Sequence, residues 1–277
     1  MSPFVRKEMH SQKLKSLWTV RQRTGLGRKA PKELFCTFMV RLVFVHFSKC
    51  RSDDDNLKGG AYCVPATPGT FEYIFQMIEL LEKERKDVAC LFLSYGQCSC
   101  NNHKLFLQLI EPDLAPTRTY PRQLAQAAIL LNYTLNTLSY EPSDILLAGD
   151  SAGGNLALAL LSHIVHPHPD QSVPQVKLPG PEKLHSVALL SPWVDFSTST
   201  AGSFYVNRYQ DLFGPGTLKR WSDAFLYGDI KEVRKDGKED SYNEPIGADA
   251  DWWEGVKDVV DSVCIVAGGR ELFLDCR

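Results

Sequence analysis

Ile145-Leu146-Leu147-Ala148-Gly149-Asp150-Ser151-Ala152-Gly153-Gly154-Asn155 is the stretch whose reading decides the fold. Four apolar residues lead into a Gly-x-Ser-x-Gly pattern, and Leu156-Ala157-Leu158-Ala159-Leu160-Leu161 follows with strong helix formers. Strand, tight turn and helix are the context in which this pattern becomes a nucleophile elbow. The glycines let the backbone reverse sharply, so that the Ser151 hydroxyl stands above the edge of a sheet. The N–H of the next residue, Ala152, then faces the place where an oxyanion would form. Ser151 is therefore the candidate nucleophile, and an ordinary turn serine is the bland alternative.

Working outward, apolar segments alternate with helical ones. Thr37 to Phe47 is β-branched and aromatic and reads as a buried strand. Residues 70–86 carry Phe71, Ile74, Phe75, Ile78 and Leu81 at helical spacing. Val88 to Leu93 is a continuous apolar run suited to a parallel strand covered on both faces. A helix is expected over 121–138, opened by Pro121, and further strands over 186–196 and 262–268. The alternation predicts an α/β fold with a mostly parallel central sheet and helices on both faces. Ligands in such sheets bind at the carboxyl ends of the strands, which is where Ser151 falls.

Composition bounds the function. A hydrophobic fraction of 44% and a charged fraction of 23% suit a globular protein, and the net charge of −2 gives no reason to expect nucleic acid as a partner. No apolar run approaches the ~20 residues of a transmembrane helix, and no secretory h-region opens the chain. Eight cysteines without a repeating spacing read as reduced thiols in a cytoplasmic protein. Residues 1–32 hold nine Lys or Arg against the single acid Glu8. This basic arm, residues 1–36, reads as a solvated arm or a cap over the site. Surface association with a membrane and organellar targeting stay open beside that reading.

Taken together, Gly149 to Asn155, Asp113-Leu114-Ala115-Pro116, Tyr120-Pro121 and Ser191-Pro192-Trp193-Val194-Asp195 resemble the hormone-sensitive-lipase-like branch of the α/β-hydrolases. The nearest likeness is to its fungal esterases, among them steryl acetyl hydrolases and deacylating enzymes of secondary metabolism. The resemblance runs over 37–277 and implies one α/β-hydrolase domain there. It also implies that Gly59-Gly60-Ala61-Tyr62 corresponds to the family's His-Gly-Gly-Ala oxyanion segment, with Lys58 in place of the histidine. Gly59, Gly60 and Ala152 would then supply the oxyanion hole. Glu271, in Glu271-Leu272-Phe273-Leu274-Asp275, takes the place of the triad acid, with Asp275 as the fallback. The implied activity is deacylation of a small hydrophobic ester through an acyl-enzyme, with no metal or organic cofactor.

The chain departs from that pattern in two ways. The family's base is a histidine beyond the acid, whereas all seven histidines here (His10, His46, His103, His163, His166, His168, His185) precede Glu271. A domain ending at Arg277 would be C-terminally truncated, with an exposed sheet edge and strongly impaired turnover. The segments 47–58, 96–112 and 233–240 also interrupt the pattern. Excising the first two restores Val-His-Gly-Gly-Ala-Tyr and Ser-Tyr-Asp-Leu-Ala-Pro, which points to retained introns, with real surface loops as the rival account. Near the end of the Ser151 helix, His163, His166 and His168 read as charge complements to the helix carboxyl end rather than a metal site. Cys98, Cys100 and His103 lack a fourth ligand at a zinc-like spacing. Two further readings stand beside the esterase: a catalytically dead small-ligand binder on the same fold, and a non-functional product.

Overall fold

The computed structural model describes residues 62–63, 76, 114–197, 202–228 and 240–275, together with the backbone of strands at 35–39 and 88–92. Among the described residues, five strands form one parallel sheet: β1 (Phe35–Met39), β2 (Val88–Phe92), β3 (Ile145–Asp150), β4 (Ser186–Leu190) and β5 (Val263–Val266), in the order β2-β1-β3-β4-β5. The first strand begins two residues earlier than the sequence reading, and residues 40–47 lie outside the described residues. So do Gly59, Gly60, segments 47–58 and 96–112, and the helix expected over 70–86 apart from Gln76.

Strand β3 is buried along its length until Asp150, as its unbroken apolar run requires. It lies between β1 and β4, pairing Cys36 with Ile145 on one side and Asp150 with Leu190 on the other. Helix α1 (Arg122–Asn136) buries Leu124, Ala127, Ala128 and Leu131 at helical spacing, and packs on helix α2 (Ala152–Val165). Helix α2 in turn covers β3 and β4. Because it is enclosed on both sides, most of its residues are buried, including Asn155, Ser162 and His163.

Two helices absent from the sequence reading complete the described part. Helix α3 (Gly202–Val206) is a single turn and a half, seated on the 3-10 turn Leu272–Asp275. Helix α4 (Pro215–Tyr227) starts with Pro at its first position and buries Leu218, Trp221, Ser222, Phe225 and Leu226. Its Phe225 ring stacks on Tyr62 at 3.9 Å between centroids and 9° between planes. Among the described residues no helix is long and apolar enough to cross a membrane.

Candidate active site

Ser151 lies between the end of β3 and the start of α2, with φ +55° and ψ −118°. A non-glycine residue there is strained, and strain of this kind persists only where the surroundings enforce it. Three backbone bonds do so. The Ser151 N–H donates to Leu190 O at 2.8 Å, and its carbonyl accepts from Trp193 N–H at 3.0 Å and Asn155 N–H at 3.1 Å. Close packing of the glycines completes the turn. A Cβ on Gly149 would lie 2.1 Å from Gly153 O, and one on Gly154 would lie 2.8 Å from Pro192 Cβ. Ala152 is buried as the first residue of α2, so its N–H has no intrahelical acceptor and sits at the positive end of the helix.

On the neighbouring strand, Ser191 follows β4 as Ser151 follows β3, also with positive φ, +42°. Parallel strands run ~4.8 Å apart, so the two serines occupy adjacent places on one rim. The Ser191 hydroxyl donates to the Glu271 carboxylate. Glu271 follows β5, one strand further along, and its carboxylate lies against Gly268: a Cβ there would come within 2.6 Å of Oε1. The backbone around Glu271 is held from α3 and its following turn. Asn207 Nδ2 donates to Glu271 O at 2.8 Å, and Leu272 N–H donates to the Asp211 carboxylate at 2.7 Å. Ser151, Ser191 and Glu271 thus follow three consecutive strands. Sequence reasoning placed Ser191 in a motif but gave it no role; only three-dimensional contact across 80 residues does so.

Asp275, the fallback acid, accepts the Ser203 N–H at 2.5 Å and so caps the start of α3.

The described histidines are engaged away from this rim. His163 Nε2 donates to Pro174 O at 3.0 Å while Nδ1 accepts His168 N–H at 2.9 Å. It sits 12 residues along α2 from Ser151, a rise of about 18 Å. His166 stacks on Trp252 with centroids 4.1 Å apart. His168 Nδ1 accepts Asp170 N–H at 3.1 Å, and its Nε2 lies 2.8 Å from Tyr120 Oη, which itself donates to Asp240 Oδ2 at 2.8 Å. That pattern assigns the Nε2–H tautomer. His185 precedes β4, at the opposite end of the sheet from Ser151, where its N–H donates to Ile145 O. His10, His46 and His103 lie outside the described residues.

Burial lowers the pKa of both His163 and His168 below the ordinary imidazole value, for His168 against the opposing pull of Asp240 and Asp170. In both rings Nδ1 accepts a backbone N–H, so they serve as neutral hydrogen-bonding rings and not as charges at the helix end, which corrects the expectation for both. Burial likewise pushes the Tyr120 hydroxyl up, with Asp240 adding to the effect, and takes the Cys63 thiol up to about 12. Asp240 closes the third interrupting segment yet binds Tyr120, Tyr242 N–H and Asn243 N–H, so this residue is integral to the fold.

Strand order, elbow and rim define an α/β-hydrolase, and the comparisons agree. The family model for the alpha/beta hydrolase fold matches residues 107–276, and the chain belongs to that family. Among solved structures it resembles a hormone-sensitive lipase from a metagenome library (20% identity, TM-score 0.54, 78% of this chain and 57% of that one). Similar matches are EstE5 soaked with ethyl alcohol (24%, 0.51, 78% and 57%) and the hormone-sensitive-lipase homologue EstE7 from a metagenome library (20%, 0.51, 79% and 58%). The chain spans about half the length of the solved structures it matches, 46% in some esterases. No curated protein matches it.

Proposed function

We propose that this chain is a serine carboxylic-ester hydrolase acting on a small hydrophobic ester with a short acyl group, within one domain over 37–277. The observation that carries this reading is the strained Ser151 at the head of α2 with the Ala152 N–H beside it. Ser151 Oγ attacks the ester carbonyl, and the oxyanion is held by Ala152 N–H and by the Gly59 or Gly60 N–H. Collapse expels the alkoxide, which takes the proton removed from Ser151; water then cleaves the acyl-serine. Glu271 would be the acid that orients the base and stabilises it once it has taken the Ser151 proton.

No described histidine is positioned as that base. Without a base beside Ser151, turnover would fall on the order of 10⁴- to 10⁶-fold below that of a complete triad.

The test is hydrolysis of p-nitrophenyl acetate by the full chain, with and without added imidazole. A small soluble base can take the Ser151 proton, so imidazole should raise the enzymatic rate above its own background reaction. Ser151→Ala should abolish that gain. Equal rates for wild type and Ser151→Ala would overturn the proposal, and tight binding of an ester without turnover would favour the ligand-binding alternative.

A further inference from the structure

One buried amide ties three distant segments to the elbow helix. Asn155, 1% exposed, accepts the Tyr62 hydroxyl at Oδ1 (2.6 Å) and donates both Nδ2 hydrogens, to Trp193 O (2.8 Å) and Asn243 O (2.7 Å). Its backbone N–H and that of Trp193 are the two donors on the Ser151 carbonyl. The carboxamide therefore links the segment ending at Tyr62 to the peptide that holds the nucleophile. Tyr62 is fully buried, lies on Phe225 and accepts Ala115 N–H at 3.0 Å, so it cannot follow the amide by a simple rotation.

Resting on the esterase reading above, we infer that Asn155 is a positioning residue that fixes the Tyr62 segment, which follows Gly59-Gly60, in register with Ser151. No other side chain of this size offers one acceptor and two donors. Aspartate would turn a charge toward two carbonyls, and serine would leave buried groups unpaired. The requirement is therefore for the amide itself and not for polarity at this place.

The experiment uses the full chain with Tyr62→Phe, which deletes one oxygen and keeps the ring stack, and with Asn155→Ser alone and combined with it. The first readout is amide hydrogen exchange. In Tyr62→Phe the Asn155 and Trp193 amides should exchange about tenfold faster while the central β4 amides keep their rates. Unchanged exchange at those two amides, or equal acceleration throughout, overturns the inference. The second readout is imidazole-assisted hydrolysis. In Tyr62→Phe kcat should fall about tenfold with KM held, and adding Asn155→Ser should cost less than the separate effects combined. Additive losses, or an unchanged kcat, overturn it. If wild type shows no Ser151-dependent hydrolysis, the esterase reading fails by itself and the exchange experiment alone decides the register claim. Should Asn155→Ser not fold, Tyr62→Phe carries both readouts.

Discussion

Gly149→Ala should break the elbow while changing a single methyl group. The added Cβ would meet Gly153 O at 2.1 Å, Gly153 C at 2.2 Å and Gly154 N at 2.5 Å. All three are backbone atoms, so no side chain can swing away. Ordinary carbon–oxygen contact needs roughly 1 Å more, and that displacement must come from the end of β3 or the first turn of α2. Overpacking typically costs 1–3 kcal/mol, and a clash with rigid backbone puts this variant at about 3 kcal/mol or above. With m near 1–3 kcal/mol/M for urea, the midpoint should fall by about 1 M or more. A 1 Å misplacement of the nucleophile can also cost about 10²-fold in rate, so Ser151-dependent hydrolysis should nearly vanish in whatever protein still folds. Gly154→Ala meets Pro192 Cβ at 2.8 Å instead and should fall between Gly149→Ala and wild type. A Gly149→Ala protein with the wild-type midpoint and m-value would refute the claim that this approach shapes the elbow.

Gly216→Ala should act in the opposite direction. It lies in the first turn of α4 with nothing within 4 Å of a Cβ, so alanine should add about 0.5–1 kcal/mol and raise Tm by roughly 1–4 °C; a lower Tm would contradict this. Acid should destabilise the fold through His163 and His168. Both have lowered pKa values in the folded state, so as pH drops below about 6.5 the unfolded chain takes up protons that the native rings resist. Tm should therefore fall between pH 7.5 and 5.5, and His168→Gln should flatten that fall; a rise on acidification would reverse the sign of the argument.

Much of the sheet was legible because each buried parallel strand is a short uninterrupted apolar run. Strands β2, β3 and β5 and helix α1 lie within two or three residues of the segments read from sequence. The reading of β4 ran six residues too far, to Phe196, although Pro192 was the signal to stop: it has no N–H for a ladder, and Ser191 before it turns to positive φ. Helix α4 was missed despite Pro215 at its start and Leu218, Trp221 and Phe225 at helical spacing. The Gly-x-Ser-x-Gly signal is local and was readable. The Ser191–Glu271 bond and the three side-chain contacts of Asn155 join residues 38 to 93 positions apart, and periodicity carries no information at that range. Burial, too, had to be seen before His163 could be read as a neutral ring.

The strand order has a consequence for the chain as it is made. β1 sits inside the sheet, between β2 and β3, yet about a hundred residues separate it from β3. At ~5–20 residues per second, a ribosome needs roughly 5–20 s to deliver β3 after β1 has emerged. Throughout that interval β1 has at least one bare edge, the kind of surface that recruits stray strands or a chaperone. The yield of native protein should thus respond to the pace of translation across residues 40–144, a stretch that contributes β2, helix α1 and the 3-10 turn Pro142–Asp144 to the described elements.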